Sequence, residues 1–183
     1  MSSRTAARPG GRSARVQQAV HRAVHELEDE LGRKALTVPL VAERAGVTPS
    51  TIYRRWGDLQ QLMADVAVER LRPEEPPADL GGLREDLEAW AVQFMEEMSS
   101  SAGRGYIRDV ISGDPESGDA LRCSDYAAQQ LTQISVRAAG RGEAVPAVEA
   151  LLDAIVAPVM YRIMFRPGGL DAAYVSRLVA AAL

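Results

Sequence analysis

Residues 37–62 read TVPLVAERAGVTPSTIYRRWGDLQQL, two short helical patterns separated by a glycine turn. Thr37 can cap the first free N–H groups of a helix, and Pro39 falls in the first turn, where a missing N–H costs little. Val38, Val41, Ala42 and Ala45 then recur at three- and four-residue spacing to make one apolar face. Gly46 follows where a left-handed residue stops a helix. Thr48 and Pro49 repeat the start signal after only three residues, the length of the turn joining two crossed helices. On the second helix Ile52 and Trp56, with Val47 just ahead of them, pack onto the first. Ser50, Tyr53, Arg54 and Gly57 then face away from the core. The segment reads as a helix-turn-helix.

Hydroxyls, a phenol and a guanidinium on the N-terminal part of an exposed short helix suit a DNA major groove. Arg grips guanine bidentately, and hydroxyls reach base edges or phosphate oxygens. The candidate DNA-contacting set is Thr37, Thr48, Pro49, Ser50, Thr51, Tyr53, Arg54 and Arg55. The order T-V-x-x-V-A-x-x-A-G-V-T-P-S-T-I-Y-R-R-W from Thr37 to Trp56 resembles the DNA-binding domain of TetR-type transcriptional repressors, with Ala42, Gly46, Val47, Thr51, Tyr53 and Trp56 matching. In one place the chain departs from that pattern. After Trp56 the family usually carries a Ser-Lys pair whose lysine meets the DNA backbone, whereas Asp58 and Leu59 stand here, so the resemblance does not supply that phosphate contact. Asp58 is still suited to cap the next helix.

The chain has 183 residues, 46% apolar and 25% charged, which fits a globular protein of one or two domains. The single Cys123 excludes an internal disulfide and a multi-cysteine metal site. No apolar run approaches the roughly 20 residues of a membrane span, and the basic N-terminus lacks the apolar segment of a signal peptide, so a cytoplasmic protein is expected. The net charge of −4 divides unevenly: residues 1–72 carry 12 Lys+Arg against 8 Asp+Glu, leaving 9 against 17 for residues 73–183. A basic DNA-reading head on an acidic body follows.

Residues 1–12, MSSRTAARPGGR, read as a disordered basic arm, either following phosphates or the minor groove through Arg4, Arg8 or Arg12 or simply solubilising the chain. From Ser13 to Leu31, Val16, Ala19, Val20, Ala23, Val24, Leu27 and Leu31 form one stripe, the scaffold of a domain over 13–57. His21 and His25 lie one turn apart on it and are read as exposed. Two imidazoles at that spacing can share a metal, but Glu28 and Asp29 offer no obvious third ligand, so no metal and no cofactor is assigned. Asp58 opens a helix through Leu62, Val66 and Leu71. PEEPPADLGG then breaks every pattern, placing connecting helix and linker at 58–80 and the domain boundary near 72–80.

The remainder, 81–183, reads as helices at roughly 82–99, 103–112, 117–139, 146–165 and 171–183. The segments AAGRGE (138–143) and APVMYRIMFRPGGLDAAYVSRLV (157–179) resemble C-terminal domains of actinobacterial-type TetR regulators. The expected fold is therefore all-α: a three-helix DNA-binding domain linked to a helical ligand-binding and dimerisation domain. Trp90, Phe94, Met95, Met98, Ile107, Ile111, Tyr126 and Tyr161 are the candidate effector pocket, since adaptable methionines and aromatic rings suit a small apolar or aromatic ligand as well as ordinary core. Leu152, Ile155, Val159, Val175, Leu178 and Val179 are the candidate homodimer interface, a two-helix face completed by its symmetric copy. Pro158 is expected to bend its helix. The resemblance implies a ligand-responsive regulator, expected to be a repressor, that binds a palindromic duplex operator as a homodimer. A helical ligand-binding protein or enzyme sharing the scaffold is the alternative. For an enzyme the sequence offers no nucleophile–base motif in context and no phosphate loop after a strand.

Overall fold

The computed structural model describes residues 11–166 and 168–183. The arm expected over 1–12, with Arg4 and Arg8, lies outside them except for Gly11 and the backbone of Arg12. Among the described residues all regular structure is helical: α1 (Arg12–Leu31), α2 (Val38–Ala45), α3 (Pro49–Trp56), α4 (Leu59–Arg70), α5 (Leu83–Ser99), α6 (Ser101–Ser112), α7 (Asp119–Gly140), α8 (Val148–Leu151), α9 (Ala157–Phe165) and α10 (Ala172–Ala182). Backbone contacts divide the chain into two compact units, Met1–Val66 and Ala67–Leu183, with the division inside α4.

The first unit is built as its sequence pattern dictates. Val20, Val24 and Leu27 of α1 meet Val41 and Ala42 of α2, Ile52 and Trp56 of α3 and Leu62 of α4 in one buried cluster. The Leu40 N–H donates to Thr37 Oγ1 at 3.4 Å, the expected cap of α2. Gly46 sits at φ +67° in the left-handed region, which lets the Val47 N–H return to the Ala42 carbonyl at 2.9 Å and turn the chain into α3. Asp58 accepts the Gln61 N–H at 2.8 Å and so starts α4.

In the second unit α5 packs against α6, α7, α9 and α10, and its buried residues Leu83, Leu87, Trp90, Ala91 and Met95 lie at the centre of the larger core. The helix bearing Pro158 is interrupted as expected, but in a specific way. A π-helical turn, Leu152–Val156, separates α8 from α9. Pro158 has no N–H to give the carbonyl four residues back, and its ring needs room there, so a widened turn ahead of it keeps the chain helical. The prolines of 73–80 likewise prevent a helix, but this segment is tied down. Its unspent carbonyls at Pro77 and Ala78 accept the Arg137 guanidinium at 2.8 and 2.6 Å, and Asp79 accepts from Arg141 at 3.2 Å. Asp86, fully buried, faces Arg141 at 3.2 Å and accepts the Leu80 N–H at 2.6 Å.

Candidate nucleic-acid interface

Burying Ile52 and Trp56 fixes the roll of α3, and at 3.6 residues per turn this turns Ser50, Tyr53 and Arg54 to solvent. All of the candidate DNA-contacting set is exposed except Thr51, which is partly buried. Thr48 begins α3 as expected, but its hydroxyl does not cap a backbone N–H. Instead Thr48 Oγ1 lies 2.9 Å from Ser50 Oγ and 3.0 Å from Thr51 Oγ1, a cluster of three hydroxyls at the start of α3. Each hydroxyl can rotate to donate, so the cluster can present O–H groups to phosphate or base acceptors.

The two neighbouring arginines differ sharply. Among the described residues Arg54 makes no hydrogen bond or ion pair, leaving its five donors for a ligand. Arg55 is spent on the fold: Nη1 donates to Ser13 Oγ at 2.7 Å, Nη2 donates to Gln17 Oε1 at 2.5 Å, and the guanidinium carbon lies 5.0 Å from the centre of the Trp56 ring. Arg44 is also engaged, forked onto Glu30 at 2.9 and 2.6 Å and reaching Glu26 at 3.3 Å, which holds the Glu30 carboxyl below the usual range. Of these three arginines only Arg54 keeps its guanidinium uncommitted.

His21, read as an exposed helix histidine, is buried. Its Nε2 lies 2.9 Å from Asp65 Oδ2, which also accepts Trp56 Nε1–H at 2.9 Å and Gln17 Nε2–H at 3.0 Å. Asp65 escaped the sequence reading. The signal was there: a lone carboxylate inside the apolar run LMADVAV, where a buried acid needs donors, and a buried tryptophan whose N–H needs an acceptor. No group of three or more metal-binding side chains occurs among the described residues.

The candidate effector residues divide. Trp90, Phe94, Met95, Met98 and Ile107 share the core around α5, with the Trp90 and Phe94 rings stacked at 5.4 Å. Tyr126 belongs to a separate cluster with Ala67, Val68 and Val110. Ile111 is 62% and Tyr161 54% exposed, so the structure does not bring these two to the others. On α9 the buried positions are Val159 and Ile163, and Tyr161, halfway between them, must point outward. The candidate dimer face is corrected at four of its six positions. Ile155, Val159, Val175 and Val179 have no exposed surface in the single chain, because α10 and the π turn pack on each other and α10 packs on α5, so these side chains serve the chain's own core. Leu152 and Leu178 are half-buried against the same core. The most exposed large apolar side chains of these helices are Tyr161 and Phe165, in ring contact at 5.5 Å. Burial pushes the Cys123 thiol up to about 11, so it is a poor nucleophile at neutral pH.

Residues 23–66 match the bacterial regulatory proteins of the tetR family, and residues 77–182 match the tetracyclin repressor-like C-terminal domain. The HTH-type transcriptional regulator AqdR of Rhodococcus erythropolis is 32% identical over 136 residues, 72% of this chain and 65% of its own length. The chain thus spans just under two thirds of that relative. The uncharacterised HTH-type regulator YdeS of Bacillus subtilis is 25% identical over 88% of this chain and 85% of its own. Among solved structures, a TetR regulator from Rhodococcus sp. RHA1 superposes with a TM-score of 0.62 at 17% identity, covering 94% of this chain and 98% of that one. Thermus thermophilus FadR, a TetR-family repressor solved in complex with lauroyl-CoA, gives 0.62 at 15% identity over 91% and 92%. With a helix-turn-helix in the first unit and family matches over both units, the chain belongs to the TetR family of bacterial transcriptional regulators.

Proposed function

We propose that this regulator is a ligand-responsive repressor, working in the cytoplasm as a homodimer on palindromic duplex DNA. The observation that carries the reading is the outward face of α3, where Ser50, Tyr53 and the uncommitted Arg54 stand clear of the core. Two such helices in a symmetric pair enter successive major grooves about 34–36 Å apart. Purified protein should bind duplex DNA with an affinity that falls steeply with salt, by about 0.9 in log K per log salt for each phosphate neutralised. Salt-independent or undetectable duplex binding would overturn this reading.

The effector site of this proposal is the cluster of Trp90, Phe94, Met95, Met98 and Ile107. These side chains pack within the core, so a ligand has to displace part of it, and the adaptable Met95 and Met98 are suited to yielding. Two solvent-open clefts, of about 350 Å³ beside Glu69, Arg72, Pro73 and Glu74 and about 310 Å³ beside Asp125, Ala128, Gln129, Thr132 and Gln133, include none of this cluster. An apolar ligand that binds the DNA-incompetent form more tightly then releases DNA, whereas one with equal affinity for both forms shifts nothing. FadR's lauroyl-CoA gives one example of a ligand on this fold. Met95→Trp is expected to keep DNA binding and abolish the ligand response. A variant that loses stability by about 1–3 kcal/mol and binds DNA poorly would make Met95 ordinary core.

A further inference from the structure

One atom ties together the three elements that place the reading helix. Asp65 Oδ2, on α4, accepts from Trp56 Nε1 at the end of α3 and from Gln17 Nε2 on α1, and His21 Nε2 of α1 stands at 2.9 Å from it. Gln17 turns its other amide atom outward to accept Arg55 Nη2, so the chain of contacts runs from α4 through α1 back to the last turn of α3. We propose that Asp65 is a positioning residue for DNA recognition: it touches no DNA, but through Trp56 and the Gln17–Arg55 pair it fixes the roll and tilt of α3, and with them where Ser50, Tyr53 and Arg54 point. The inference rests on the DNA-binding reading above.

The physical argument is one of leverage and directionality. α3 has only eight residues, and apolar contacts through Ile52 and Trp56 permit sliding that a directional bond does not. Trp56 and Ile52 lie one turn apart on the inner face, so a rotation about them carries the outer face with it. Base readout demands fixed donor positions, whereas phosphate contacts tolerate small displacement, so a loosened α3 loses sequence discrimination before it loses charge attraction. Asparagine at 65 keeps the size but has one acceptor oxygen instead of two and no carboxylate charge, so even with that oxygen turned to Trp56 and Gln17 it holds their donors more weakly.

The test compares wild type with Asp65→Asn, Gln17→Ala, Trp56→Phe and the Asp65→Asn/Trp56→Phe pair, using a duplex selected from a random pool by the wild-type protein and poly(dI-dC) as the non-specific competitor. At a temperature where each variant is folded, Asp65→Asn is expected to lose about tenfold in preference for the selected duplex with little change in poly(dI-dC) affinity or salt slope. The indole ¹⁵N–H resonance of Trp56 should shift with it. Gln17→Ala, a part-buried change that leaves the core intact, should lose less in the same direction and serves if Asp65→Asn does not fold. In the Trp56→Phe background the Asp65→Asn penalty should shrink, since the mediator is gone. A lower melting temperature with wild-type discrimination in the folded protein would make the network structural only and overturn the inference, as would equal losses on both DNAs. Wild-type protein without salt-sensitive duplex binding would overturn the regulator reading and this inference together. Wild-type binding with unchanged preference in Asp65→Asn and Gln17→Ala would overturn this inference alone.

Discussion

Arg54 and Arg55 stand side by side in sequence and are both exposed, yet they have different work because they leave α3 about 100° apart. Arg55 falls toward α1, where Ser13 and Gln17 accept it, and Arg54 falls toward solvent. Arg54→Ala is therefore expected to reduce specific duplex binding by about 1–3 kcal/mol at unchanged melting temperature. Arg55→Ala should instead lower thermal stability slightly, by at most about 1 kcal/mol for an exposed pairing. A titration with selected and random duplexes beside a thermal melt separates the two. The reverse pattern would exchange their roles.

At the scale of the element, the turn between α2 and α3 depends on one residue without a side chain. Gly46 holds φ +67°, and although a methyl group there would meet open space, its own backbone would be strained. Gly46→Ala should cost about 1–2 kcal/mol, measurable by urea unfolding, and a neutral result would mean that the turn relaxes to another conformation. The junction between α5 and the end of α7 is electrostatic. The Leu83 N–H donates to Glu143 Oε2 at 2.9 Å and Arg141 Nε donates to Oε1 at 2.7 Å, and both hold the Glu143 carboxyl below the usual range. A depressed carboxylate stabilises the fold above its unfolded value and loses that contribution as pH falls through its folded value, so the effect belongs below about pH 4.3. Glu143→Gln should be less stable than wild type at pH 7, with the two curves converging in acid. Parallel curves would show that Glu143 does not carry the dependence.

For the whole molecule, the question is what covers the outer side of the last helices. Phe165 is 71% exposed and in contact with Tyr161, while Val179 has no exposed surface. If the proposed homodimer uses these outer rings, Phe165→Glu should reduce the mass seen by sedimentation to that of one chain while the far-ultraviolet spectrum stays helical. Val179→Glu should behave differently, since an unpaired charge in the core costs several kcal/mol and the second unit should unfold. An unchanged mass in folded Phe165→Glu would place the interface elsewhere.

Most of this architecture is legible in the residues because it depends on near neighbours. Thr37, Gly46, Pro49 and Asp58 mark helix ends by their own backbone and capping chemistry, and the period of Val20, Val24 and Leu27 marks a buried face whatever lies opposite. The observed helices accordingly follow the pattern to within a few residues. Pairings over long separations carry no such local mark. That Asp65 gathers His21 and Gln17 from more than forty residues away, or that Arg137 and Arg141 reach back sixty to the prolines of 73–80, follows from packing directions that no periodicity encodes. The apolar faces of α8 to α10 show the same limit: composition tells that Ile155, Val159, Val175 and Val179 must be covered, and only the packed chain tells that its own helices cover them, since burial is blind to which surface supplies it.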